Sequence, residues 1–313
     1  MKKRQSIILL TAVAAFAGCA KTSDIKIPTD NVVRVIADVA MKTKGSCTTE
    51  SLKEFDLMIK SRSSKYDYTN TKFTRDESGQ WIPAKQMLWE GENVNAEYLA
   101  VSPCANAGIS LGDGPLFQFQ VSDRQTKDGT ESDLLWCYGN KNETSFDDQG
   151  RMKLTFAHAL SLLKVKLTFG TQFNVGGVPG SNPASSFNID GFKTSVNVGY
   201  NTTTGTANLA ADGSASTMYL YESSWIPAAD VYSDCVAEFE CIVVPQQVST
   251  FTLYFYAAGN PYIFTANLGS DFSFESGKEY TLPLIVGKDV VRMSEDISAE
   301  AWKDGGSQDI ETD

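Results

Sequence analysis

The sequence predicts an all-β protein, and three observations carry that reading. Apolar residues recur at every second position, turn-forming clusters punctuate the chain, and no long stretch has a helical period. Val33, Val35, Ala37, Val39 and Met41 share one face of a first strand, with Arg34, Asp38 and Lys42 opposite. Phe55, Leu57 and Ile59 then alternate with Glu54, Asp56 and Lys60. Met152, Leu154, Phe156, His158 and Leu160 alternate with Lys153 and Thr155, and Leu163, Val165, Leu167 and Phe169 with Lys164, Lys166 and Thr168. Phe239, Cys241 and Val243 oppose Glu238 and Glu240, and Phe251, Leu253 and Phe255 follow, then Tyr280, Leu282, Leu284 and Val286. Such alternation predicts half-buried antiparallel strands, one face on a core and one in water.

Turn signals separate these runs: Asp76-Glu77-Ser78-Gly79, Gly112-Asp113-Gly114-Pro115, Asp148-Gln149-Gly150, Asp212-Gly213 and Gly259-Asn260-Pro261. Many short strands with frequent turns favour sandwiches over an α/β sheet. Residues 176–186, rich in Gly, Pro and Asn, are the best linker, which predicts a domain boundary near residue 172. No repeat of fixed period is present, which disfavours propellers and solenoids.

The apolar share of 42% and charged share of 21% over 313 residues allow a packed core rather than wholesale disorder. A formal net charge of −11 repels phosphate backbones, so no nucleic-acid partner is expected. At the N-terminus, Lys2-Lys3-Arg4 precedes an apolar run over residues 7–17, shorter than the roughly 20 residues a bilayer-spanning helix needs. The run ends in Phe16-Ala17-Gly18-Cys19, which is similar to a bacterial lipobox, with Phe16 where Leu is usual. Residues 1–18 are therefore expected to be an export signal and Cys19 the lipidated residue. Residues 19–30 would then be a tether. Several acyl chains on one cysteine anchor a protein stably, so the membrane is a partner through Cys19 and the chain belongs to the cell envelope.

Little in the chain points to chemistry. Cys47, Cys104, Cys137, Cys235 and Cys241 are an odd set at scattered spacings, without a C-x-x-C pair, so neither a disulfide framework nor a zinc ribbon is indicated. The one histidine, His158, sits in phase with Leu154 and Phe156 and reads as a hydrogen-bonded core residue rather than a general base. Glu238 and Glu240 lie on the polar strand face, where solvated charge is the expectation over a glycosidase pair. Asp271, Glu275 and Glu279 read as turn and edge charges, and the acidic residues 309–313 as a solvated tail. No phosphate-binding, dinucleotide-binding, calcium-loop or nucleophile-elbow motif occurs, so no cofactor, no metal and no catalytic residue is expected. Trp81, Trp89, Trp136, Trp225 and Trp302 either fill cores or, if exposed, offer platforms for sugar rings.

Several segments resemble the fimbrillin family of lipoproteins from Bacteroides-type anaerobes. They are Val32-Val33-Arg34-Val35, Tyr98-Leu99-Ala100-Val101-Ser102-Pro103, Asp133-Leu134-Leu135-Trp136, and Phe156-Ala157-His158-Ala159-Leu160-Ser161 leading into Leu163-Lys164-Val165-Lys166. Near the end come Gly277-Lys278-Glu279-Tyr280-Thr281, Val286-Gly287-Lys288-Asp289 and Ala301-Trp302-Lys303-Asp304-Gly305-Gly306. The resemblance implies two transthyretin-like antiparallel β-sandwich domains in tandem, here residues 31–172 and 173–313, without catalysis. It also implies membership of a type V pilus, as a fimbrial subunit or as a tip or anchor protein on the outer membrane.

Family subunits are trimmed after the first strand by a trypsin-like protease, usually at Arg, and polymerise by strand exchange with other subunits or with themselves. In this chain Arg34 lies inside the first strand, so Lys42 and Lys44 are the candidate processing sites. Val33, Val35, Ala37, Val39 and Met41 form the candidate exchanged strand. The candidate donor carries Val291, Met293, Ile297, Ala299 and Ala301, which alternate with polar residues near the C-terminus. A host or bacterial surface ligand is a further expected partner. The competing reading is a surface glycan-binding lipoprotein of similar build.

Overall fold

The computed structural model describes residues 30–40, 47–91, 94–141, 145–270 and 272–302. Cys19, Met41, Lys42 and Lys44 lie outside these residues. The first strands are β1 (Val35–Val39), β2 (Glu54–Ser61), β3 (Tyr68–Arg75), β4 (Trp81–Pro83), β5 (Ala96–Ser102), β6 (Gly114–Gln120), β7 (Leu135–Asn140) and β8 (Met152–His158). Next come β9 (Ser161–Phe169), β10 (Ala184–Asn201), β11 (Thr206–Tyr219), β12 (Tyr221–Ile226), β13 (Cys235–Val243) and β14 (Gln246–Gln247). The last are β15 (Thr250–Ala257), β16 (Asn260–Asn267), β17 (Ser273–Phe274), β18 (Lys278–Val286), β19 (Val291–Met293) and β20 (Ser298–Ala301). Helical structure among the described residues is confined to short 3-10 turns such as Ser64–Tyr66 and Thr171–Asn174, and no helix is long and apolar enough to cross a membrane.

The first sheet has the order β1-β8-β7-β5-β2-β3-β4. Phe55 on β2 is three strands away from β8, yet its ring lies 5.3 Å from that of Phe156 and 4.8 Å from Trp81 on β4. Strands sit about 4.8 Å apart, so a flat sheet would hold β2 and β8 far beyond ring contact. The sheet therefore curls over its own apolar face and encloses a first core of Val35, Leu57, Phe73, Leu154 and their neighbours.

A second sheet, β11-β10-β15-β16 with β6 beside β10, faces a third, β12-β13-β9-β18, whose outer edge carries both β19 and β20. Phe187 of β10 stacks at 4.4 Å on Phe239 of β13, and the facing inner rows fill the second core as in other β-sandwiches. The β15–β16 hairpin closes through Ala258 (φ 48°) and Gly259 (φ 81°), the left-handed pair that matches strand twist in a two-residue turn. At Gly191 (φ 122°) a Cβ would come within 3.1 Å of Phe251, so the bulge in β10 requires glycine there.

The all-β sandwich packing agrees with the sequence reading, but four details differ. Two pairings are parallel, β1 with β8 and β9 with β18, because each closes a long chain excursion instead of a hairpin. Sheet membership changes at Ala159–Leu160 rather than at residue 172: β9 pairs with β13 and β18, and β6 also joins the second sheet through β10. Asp212-Gly213 lies within β11, beside a register shift, rather than at a turn between strands. Asp56, expected on a solvated face, is buried, with its carboxylate accepting from Asn70 Nδ2 at 2.9 Å and the Ala105 amide at 2.8 Å.

Phe55 is fully buried among three aromatic partners. Phe55→Ala should lower unfolding stability by about 3–5 kcal/mol, read as a drop in the urea midpoint at unchanged slope.

Candidate functional site

The first strand behaves as its alternation predicts. Val33, Val35, Ala37 and Val39 are buried in the first core, while Arg34, Ile36 and Asp38 are exposed. β1 lies at the edge of its sheet, held in parallel register to β8 from Val35 opposite Met152 to Val39 opposite Phe156. Its ends are fixed by the Val33 amide donating to the Met87 carbonyl at 2.9 Å and the Val39 amide to Thr49 Oγ1 at 3.0 Å. Arg34 is engaged by Asp30 through both guanidinium nitrogens, at 2.6 and 3.0 Å, and this contact holds the Asp30 carboxyl down at about 2. An edge strand whose alternate side chains line a core would leave an apolar groove on departure.

The candidate donor segment occupies a different sheet. β19 and β20 run antiparallel to β18, with Val291 opposite Val286 and Ala301 opposite Lys278. Between them Ser294 donates to the Pro283 carbonyl at 3.1 Å, and Pro283, having no N–H, returns nothing, which breaks the ladder. Val291, Met293 and Ile297 are half-buried against the second core, but Ala299 and Ala301 are exposed along with the rest of β20. The segment is therefore held largely by backbone bonds, and the structure does not bring it into one site with β1.

The single histidine sits where β8 ends. His158 is buried, with Nδ1 2.8 Å from Asp133 Oδ1, and its ring stacks on Trp302 at 4.1 Å and 17°. Asp133 Oδ2 accepts the Cys47 amide at 2.8 Å. Sequence reasoning identified His158 as a core residue but missed this junction. Asp133, His158 and Trp302 belong to three of the quoted motifs, and that shared origin was the available signal.

The acids also depart from expectation. Glu240 and Glu279 are buried rather than solvated, and Lys164 lies between them, 3.7 Å from the first and 2.8 Å from the second. Burial pushes the Glu240 carboxyl up despite Lys164 and the Tyr221 hydroxyl, which donates to it at 3.0 Å. The nearer Glu279 takes the stronger share of the lysine. This is a cross-strand ion cluster joining β9, β13 and β18.

Among the described residues no group of three His, Cys, Asp or Glu side chains could hold a metal. Cys47, Cys104, Cys137, Cys235 and Cys241 are all free thiols. Burial pushes the Cys137 thiol up to about 11, and burial together with nearby Asp56 and Glu54 pushes Cys104 up to about 12. Trp81, Trp89, Trp136 and Trp302 are buried and Trp225 is half-buried, so these tryptophans fill cores rather than forming an exposed platform. An open cleft of about 600 Å³ is lined by Asp56, Asn70, Lys72 and Cys104, but the Asp56 and Asn70 side chains there already tie down residues 105–109. His158→Ala should cost about 2–4 kcal/mol of stability in urea unfolding, and His158→Gln less if hydrogen bonding is the ring's main contribution.

Comparison with known proteins places this architecture. A protein assigned to cell adhesion from Bacteroides uniformis superposes with a TM-score of 0.57 at 18% identity, covering 88% of this chain and 100% of that one. A second such protein, from Bacteroides ovatus, gives 0.56 at 13% identity, covering 87% of this chain and 96% of that one. A fimbrial protein from Bacteroides vulgatus gives 0.52 at 14% identity, covering 87% and 99%. At these identities the likeness speaks for the fold. No curated protein sequence matches the chain. The sequence model of the family described as Fimbrillin-like matches residues 33–302, nearly the whole of what the structure describes, and the chain belongs to that family.

Proposed function

We propose that the chain is a structural or adhesive component of a fimbrium, either a subunit or an accessory tip or anchor protein, that joins its neighbours by exchanging β-strands. The observation that carries this reading is the placement of β1. It is an edge strand of five residues whose inward side chains, with Val33 just before it, complete the first core, while β8 is its one strand partner and a few hydrogen bonds at its ends hold the rest. Once removed, it leaves an apolar groove and unpaired backbone that an incoming strand would satisfy. Family membership supports the same reading.

In this account residues 1–18 direct export, and Cys19 carries lipid that anchors the chain to the outer membrane facing outwards. Lys42 and Lys44 are where a protease would free the segment bearing Val33, Val35, Ala37, Val39 and Met41. Val291, Met293, Ile297, Ala299 and Ala301 supply the replacement strand from a neighbouring molecule. Tandem sandwich domains would give each subunit a groove at one core and a donor at the other. Catalysis has no part in it.

Mature protein nicked with trypsin and followed by size-exclusion chromatography should form oligomers, and a truncation after Arg292 should not. A nicked full-length chain that stays folded and monomeric would falsify strand exchange through this groove. Separately, Cys19→Ser should leave an unlipidated precursor that high-salt and carbonate washes release from membranes. Continued membrane retention of that variant would rule out Cys19 as the anchor.

A further inference from the structure

We propose that Cys47, Asp133, His158 and Trp302 form a latch that couples the chain leaving the first strand to the C-terminal edge segment, so that loosening either one weakens the hold on the other. β20 cannot hold itself in place by packing, since all four of its side chains are exposed. Trp302, directly after it, is 2% exposed and is the one fully buried side chain over residues 298–302. Its amide donates to the Gly277 carbonyl at 2.9 Å, and the Gly277 amide donates to Leu160 at 2.9 Å, which ties the segment to the β8–β9 corner. The indole lies flat on the His158 ring, the close offset arrangement that aromatic faces favour.

From that ring the connection continues through a carboxylate. Asp133 presents Oδ1 to His158 Nδ1 and Oδ2 to the Cys47 amide, both at 2.8 Å, so it cannot turn to serve one partner without giving up the other. Cys47 follows β1 by eight residues in the sequence, and the Ala40 amide at the end of β1 donates to the Phe156 carbonyl, two residues before His158. The four residues therefore make one contiguous set of contacts between two chain segments that share no sheet, and such coupling acts equally in both directions. Among the described residues neither His158 Nε2 nor Trp302 Nε1 has a hydrogen-bond partner. The indole is thus held by its stack on His158 and by apolar packing at the margin of the second core, with no side-chain hydrogen bond, and the two unanswered buried polar atoms offset part of that gain.

The consequence for assembly rests on the strand-exchange reading: removal of the first strand would also loosen the segment that serves the next molecule. The latch itself is tested on the monomer, by amide hydrogen exchange of the full mature chain. Trp302→Ala should speed exchange at least about tenfold both at residues 298–301 and at residues 47–52, leaving residues 251–257 of the second core unchanged. Trp302→Phe, which keeps a stacking ring, should stay near the parent. If Trp302→Ala frees residues 298–301 alone, or neither segment, there is no coupling and the proposal fails. If it loosens the second core as well, Asp133→Asn decides on the same two segments: both must speed up for the latch to stand. No polymer enters this measurement, so a failure of strand exchange leaves its result intact, and an uncoupled monomer refutes only the latch.

Discussion

The structure depends on a layer buried from both sides. In β2 and β5, Leu57, Ile59 and Ala100 face the first core while Met58, Leu99 and Val101 face the second, and Leu134, Leu135 and Trp136 divide in the same way across the start of β7. A strand that is apolar on both faces cannot be solvated on either, so neither core can be exposed without stranding part of the other. The curled first sheet and the sandwich of the second and third sheets thus share a wall. The long β10 extends this union, pairing with β15 over its first half and with β6, drawn from the N-terminal half of the chain, over its second.

Such a topology is dominated by contacts between residues distant in sequence. β1 finds its partner more than a hundred residues on, Val35 lying opposite Met152, and β18 pairs with β9 across a similar span. Closing such loops costs chain entropy before any pairing offsets it, which delays these contacts relative to hairpins such as β15–β16. β1 is therefore expected to dock late, onto a sheet whose other strands are joined by antiparallel neighbours. A strand that docks last onto a formed template is the placement on which the strand-exchange proposal rests.

How much of this was legible in the sequence follows from what period-two alternation can report. It located β1, β8, β9, β13, β15 and β18, because each has one wet or weakly covered face along much of its length. It missed β5 and the second face of β2, where Tyr98-Leu99-Ala100-Val101 and Leu57-Met58-Ile59 are continuous apolar runs with no alternation to read. It missed β11, whose small polar residues carry little hydropathy signal and whose strand geometry is imposed by β10. The solvated reading of Asp56, Glu240 and Glu279 failed because a polar residue at an outward position is exposed only if nothing packs over that position. The family motifs were visible in order along the chain, but the meeting of three of them around His158 is a property of the fold.

The cysteines have a consequence of a different kind. Of the five free thiols, Cys47, Cys235 and Cys241 are buried, and burial raises Cys47 and Cys241 as it does the partly exposed Cys104 and Cys137. Thiol–disulfide exchange needs the thiolate, so groups raised to about 11 and about 12 are almost wholly inert at neutral pH. In the folded chain Cys104 and Cys137, the two partly exposed thiols among the described residues, are accordingly poor participants in disulfide exchange, and burial shields Cys47, Cys235 and Cys241 from it.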